Sequence, residues 1–169
     1  MSSKPTSDVH VFYADTRFER MARRPGGKSR EEALAEAQAE IDRLQPEFAK
    51  WLSQEVQNLA ATLAQVESGN SDKTQLDRAS RICAQLRDTG ATFGFEFATF
   101  IAKNLCDILD VVKAGAAYDK DVIDCHIDAL FLARSSTYRH LRPDQVPEIA
   151  SGLQRVLKLA IDTSPRSGE

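Results

Sequence analysis

The chain has 169 residues, 42% of them hydrophobic and 28% charged, with a formal net charge of −3. That is enough apolar material for one packed domain, and it excludes a polycationic nucleic-acid binder. Charge is uneven: residues 1–30 hold seven Lys/Arg against three Asp/Glu, about +4, which leaves about −7 for the remainder.

Cys83, Cys106 and Cys125 are odd in number and form no C-x-x-C pair, so neither a disulfide framework nor a zinc site is indicated. Free thiols in a reducing cytosol are expected. No apolar run approaches the ~18 residues that span a bilayer, and "MSSKPTSDVHVFYADTRF" has no apolar signal-peptide core. A soluble, cytoplasmic protein without cofactor or metal is the expectation.

The elements predicted in chain order are helices. Residues 1–28 read as a flexible basic arm with "RRPGGKS" as its hinge, partly ordered through Val11, Phe12, Tyr13 and Phe18. Ser29 and Glu32 fit a capping box, in which hydroxyl and carboxylate satisfy opposing orphan amides. An Ala/Glu-rich helix follows to about Leu44, and Pro46 is placed to open a new one, since its missing N–H costs nothing in a first turn. Phe48, Leu52, Val56, Leu59, Leu63 and Val66 then recur at 3–4-residue spacing, with Trp51 beside them. "SGNSD" at 68–72 ends the pattern, and Asp72 with Gln75 offers the next cap.

Leu76, Ala79, Cys83, Leu86, Gly90 and Phe93 line one side of the following helix, with Gly94 as its stop. The segment 95–114 repeats the pattern through Ala98, Ile101, Leu105, Ile108, Leu109 and Val112, closing at Gly115. A helix over about 120–138 buries Val122, Ile123, Ile127 and Leu130. Pro143 opens the last, with Ile149, Leu153, Val156 and Leu157 inside, and 164–169 is a disordered tail. Amphipathic helices of this length on short loops pack as an antiparallel bundle. The expected fold is all-α: an up-down four-helix bundle over about 46–162, within a domain of 29–163 that also carries the 30–44 helix. That extra helix either caps its own bundle or pairs with another chain, so a homodimer stays open.

The segment "LDRASRICAQLRDTGATFGFEFATFIAKNLCDIL", residues 76–109, resembles the histidine-containing phosphotransfer (HPt) domains of bacterial two-component relays. In that family a helix carries H-x-L-K-G, then small residues, then a glycine before the next helix; one form of the pattern is A-H-D-L-K-G-Q-G-A-T-Y-G. Laid on this chain without gaps, Leu86, Gly90, Ala91, Thr92 and Gly94 match, Phe93 takes the aromatic position and Arg87 that of the lysine. Ala84 stands where the phosphoaccepting histidine belongs, and Asp88 stands where the glycine one turn later belongs. At ~100° per residue, Ala84 falls roughly 130° from the centre of the apolar stripe, on a face with Asp77, Arg81 and Asp88 that is expected to be exposed.

The resemblance implies a docking face; the substitutions remove the chemistry. Phosphoryl transfer needs a nitrogen lone pair in line with phosphorus, and alanine has none. Asp88 puts bulk and negative charge where a partner's active site would approach, with Arg81 and Arg87 positioned to offset part of it. The expected function is therefore a non-catalytic module, not an enzyme. It would bind a response-regulator receiver domain or a histidine kinase through Arg81, Ala84, Arg87 and Asp88, with Asp77, Gln85 and Thr89 around them.

Two rivals stay open: a phosphotransferase with its acceptor displaced to His126, and a helical interaction or dimerisation protein. His126 falls at the edge of an apolar stripe, a half-buried structural position. His140 is near a helix end, where capping is usual, and His10 is in the arm. The basic arm residues Arg17, Arg20, Arg23, Arg24, Lys28 and Arg30 fit either an acidic partner or headgroup surface or a solvated tail. They lack the interleaved aromatics of a nucleic-acid platform.

Overall fold

The computed structural model describes residues 26–66 and 73–162. The described residues form five α-helices: α1 (Arg30–Leu63), α2 (Lys73–Gly90), α3 (Glu96–Lys113), α4 (Lys120–Ala133) and α5 (Pro147–Asp162), with single 3₁₀ turns at Ala91–Phe93 and Pro143–Gln145. No strand occurs among them, and no helix is long and apolar enough to cross a membrane. The chain divides into two compact units, 1–38 and 39–169. Nearly all of the expected arm, the break at 68–72 with its Asp72 cap, and the 164–169 tail lie outside the described residues.

In the first unit the capping box is present. Ser29 N–H donates to Glu32 Oε2 at 2.8 Å, and Glu32 N–H donates to Ser29 Oγ at 3.1 Å. Residues 30–38 are all exposed, Leu34 at 59% included. The second unit begins inside α1 and corrects one expectation: the helix does not restart at Pro46 but runs through it. An interior proline costs about 3 kcal/mol. Here Phe48, Leu52, Val56, Leu59 and Leu63 are buried one turn after another beyond it, and Gln45 Nε2 donates to the Phe93 carbonyl at 3.0 Å. Those contacts hold the segment in helical register.

α2 and α3 run antiparallel. Asp77 near the start of α2 pairs with Lys113 at the end of α3 at 3.0 Å, Cys83 Sγ donates to the Ala102 carbonyl at 3.1 Å, and Gly90 meets Thr99. Small residues line the seam: Ala79, Cys83 and Gly90 on one side, Ala98 and Ala102 on the other, all buried. The turn between the helices uses Gly94 at φ +77°, a left-handed conformation that side chains resist. Gly90 is needed for space instead. A Cβ there would stand 2.4 Å from Thr99 Oγ1. Overpacking of this kind costs about 1–3 kcal/mol, against about 1 kcal/mol gained in helix preference. Gly90→Ala should therefore lower the urea midpoint, and Thr99→Ala in the same chain should restore part of it.

α3 also packs against α4 and α5. Gly115 at φ +109° closes α3 as expected, and Asp119 caps α4 by accepting from Asp121 N–H at 3.0 Å and Val122 N–H at 3.2 Å. Tyr118 Oη donates to the Leu63 carbonyl at 3.2 Å, and Arg134 Nη1 to the Ser53 carbonyl at 3.5 Å, so α4 lies antiparallel to α1 over residues 53–63. Two boundaries differ from expectation. α4 ends at Ala133 rather than 138, because Ser135, Ser136 and Thr137 form turns instead of continuing the helix. The last helix opens at Pro147, not Pro143. Pro147 has no N–H to give the carbonyl four residues back, and Val146 N–H bonds Pro143 O at 3.3 Å instead, leaving a single 3₁₀ turn.

The core is continuous through the second unit, with Phe97, Ile101, Leu105, Leu109, Ile123 and Leu130 fully buried. Phe48 stacks on Phe93 at 4.2 Å and tilts against Phe95 at 5.2 Å, closing the end of the core where α2 turns into α3.

Candidate functional site

Ala84, in the middle of α2, lines an open hollow of about 400 Å³ with Asp77, Ser80, Arg81 and Arg87 from the same helix and Cys106, Asp110 and Lys113 from α3. The antiparallel register brings the two sets together. Residues 106, 110 and 113 share one face of α3 at helical spacing, and that face lies beside the 77–81–84 face of α2. Four of the seven residues singled out in the sequence (Asp77, Arg81, Ala84 and Arg87) are thus neighbours in one site. Gln85, Asp88 and Thr89 lie outside its lining. The sequence does not single out Ser80, Cys106, Asp110 or Lys113; it shows the 106/110/113 spacing but not which helix faces it.

Ala84 is half-buried and packed against the core, not exposed. The apolar stripe of α2 is only part of its buried arc. α2 in fact packs extensively along α3, and that contact widens the arc on the side where Ala84 lies. The methyl group lines the hollow among the charged side chains.

These charges are largely self-neutralised. Lys113 beside Asp77 holds that carboxyl below the usual carboxylate range, and Arg81 Nε donates to the Asp77 carbonyl at 3.3 Å. Arg87 Nε bonds Asp88 Oδ1 at 2.8 Å, which holds the Asp88 carboxyl down and the guanidinium up. Asp88 thus turns toward Arg87 and occupies the cation that takes the family's lysine position. Thr89 Oγ1 donates to the Gln85 carbonyl within the helix, which ties down its hydroxyl. Ser80 Oγ is buried at the edge of the hollow with no hydrogen-bond partner among the described residues. No cluster of His, Cys, Asp or Glu able to hold a metal ion occurs among the described residues.

His126 departs from its expected place. It is fully buried, not at a half-buried edge; Nδ1 bonds the Val122 carbonyl at 2.8 Å, and Nε2 has no partner among the described residues. Burial lowers its pKa from the ordinary 6.5, with the Val122 bond opposing. The unfolded chain then takes up this proton before the folded one does. Stability is at its full value above about pH 6.5, declines as pH falls from there toward the lower folded value, and stays reduced below it. His126→Leu should abolish that limb in urea titrations at a series of pH values. The separate loss near and below pH 4, from Asp77 and the other depressed carboxylates, should remain. His140 is exposed and does not cap a helix; its ring lies 5.7 Å from that of Phe95.

Comparison of the chain with protein-family models, with curated proteins and with solved structures returns no match.

Proposed function

We propose that this chain is a non-catalytic module of phosphotransfer type, in which residues 46–162 form an up-down four-helix bundle. The α2 face around Ala84 docks a response-regulator receiver domain or a histidine kinase without carrying phosphate. The observation that carries the proposal is the placing of Ala84. The alanine at the acceptor position of the HPt-like pattern lines an open hollow with the cations Arg81, Arg87 and Lys113 and the carboxylates Asp77 and Asp110. A partner's acidic pocket meets cations there and finds no imidazole at the acceptor position. His126, the other candidate acceptor, is inside the core, where an aspartyl phosphate on another protein does not reach its Nε2.

The test is a phosphate-flow assay with labelled kinases and receivers from the same cell, run with and without the protein. No acid-labile label on this chain is expected, together with altered receiver phosphorylation or lifetime. Reversing charge with Arg81→Glu and Arg87→Glu should weaken partner binding at least about tenfold, since like-charge juxtaposition at an interface costs several kcal/mol. Label on the wild-type chain, or unchanged affinity of the reversed variant, would overturn the proposal.

A second reading, a helical interaction or dimerisation protein, is favoured by the apolar groove between α4 and α5. Leu132, Ile149, Leu153 and Val156 line it, and Leu159 at its end is 64% exposed. On that reading the charge-reversed variants leave partner binding intact and Leu159→Arg disrupts it.

A further inference from the structure

Cys83 and Cys106 face each other across the α2–α3 seam. Their positions fall within the register set by Asp77 with Lys113 at one end and Gly90 with Thr99 at the other. Cys83 Sγ reaches the Ala102 carbonyl, one helical turn before Cys106 on α3, and the small residues along the seam keep the helix backbones close. The two thiols are not equivalent. Cys83 is 0% exposed and its Sγ donates to the Ala102 carbonyl. Cys106 is 5% exposed and lines the open hollow beside Arg87. The third cysteine, Cys125, is exposed on α4.

We propose that Cys83 and Cys106 are a peroxide-sensitive thiol pair, in which Cys106 is oxidised from the hollow and Cys83 resolves it to a disulfide that staples α2 to α3. In the first step the Cys106 thiolate attacks hydrogen peroxide. The O–O bond breaks, a sulfenic acid forms, and hydroxide leaves to be protonated by solvent. In the second, the Cys83 sulfur attacks the sulfenic sulfur. An S–S bond forms, the S–O bond breaks, and the Cys83 proton leaves with the departing oxygen as water. Two thiols are oxidised by two electrons and one peroxide is reduced to two waters.

The surroundings assign the order of events. The Cys83 S–H has one proton, which serves either the Ala102 carbonyl or the Cys106 sulfur. Turned to Cys106 it favours the thiolate there, and the Arg87 guanidinium adds to this, while burial, Asp110 and Asp107 oppose it; the direction for Cys106 is down. The same neighbour and full burial push Cys83 well up. The thiol that lines the open hollow and is favoured toward its thiolate attacks first, and the fully buried one beside it is suited to the second step. The inference is independent of the docking proposal, since it is read out entirely in thiol chemistry.

The experiment uses the full chain carrying Cys125→Ser, exposed to hydrogen peroxide, then denatured and alkylated. Both remaining thiols should become unavailable together, the intact mass should fall by two hydrogens, and a non-reduced digest should yield one peptide pair joining 83 to 106. Reductant should return both thiols. With Cys83→Ala added, oxidation should stop at a sulfenic acid on Cys106 that a dimedone probe captures. Both thiols remaining alkylatable after treatment that oxidises Cys125 in the otherwise unchanged chain would overturn the proposal. So would linkage only between chains. The wild-type digest gives the same answer where a variant fails to fold.

Discussion

Ala84→His combined with Asp88→Gly should convert the chain into an acceptor of phosphate, detected as acid-labile label transferred from a phosphorylated receiver domain. Ala84 lines the open hollow beside α2, so an imidazole built there projects from the helix into that space, with Arg87 one turn away. Ala84→His alone should label poorly. Asp88 would still hold Arg87 at 2.8 Å and present its carboxylate to the incoming phosphoryl group. Removing Asp88 releases the guanidinium for the phosphate oxygens, to which its planar fork is well matched. Label in the double variant that exceeds the single by an order of magnitude or more is the expected result. An equal lack of label in both, with the fold intact by circular dichroism, would show that the hollow does not meet a receiver's active site.

Phe95→Ala should cost about 3–5 kcal/mol, as large aromatic truncations in cores do. Phe95 is 1% exposed and lies directly after the α2–α3 turn. Its ring meets Phe48 at 5.2 Å and His140 at 5.7 Å, so one side chain joins α1, the turn and the segment after α4. The loss would be a large share of the ~5–15 kcal/mol that stabilises a typical domain. Urea titration should show a much lower midpoint, whereas Phe100→Ala, at a half-buried position on α3, should shift it far less.

Helix content was legible in this sequence because the apolar spacing is regular and the caps are conventional. Phe48 through Leu63 and Ala98 through Val112 each repeat at 3–4 residues, and both stripes are buried throughout. Ser29 and Glu32 formed the expected box because its two hydrogen bonds depend only on residues three apart. Local signals misled where tertiary packing overrode them. Pro46 looked like a start, but Gln45 and Phe48 fix the helix on both sides of it. Of two prolines four apart, only the second starts an α-helix, since Pro147 has no N–H for the Pro143 carbonyl and the first opens a single 3₁₀ turn. The hollow was half legible. Its α2 side follows from helical periodicity, whereas Cys106, Asp110 and Lys113 depend on an antiparallel register between two helices, which no local pattern records. His126 lies at the edge of the stripe on its own helix, and its full burial comes from tertiary packing that the helix's own pattern does not record.

The short turn through Gly94 bears on the order in which the molecule assembles. Closing so small a loop costs little chain entropy, and the α2–α3 seam involves residues close in sequence, so these contacts form early. Pairing α1 with α4 must instead bridge Ser53 to Arg134, which pays only once a surface exists to receive it. On that order the α2–α3 hairpin is the expected nucleus, and its two sides should respond differently. In stopped-flow refolding, substitutions in the seam, at Ala79 or Ala102, should slow folding, whereas one on the outer face, at Arg81, should leave the folding rate unchanged.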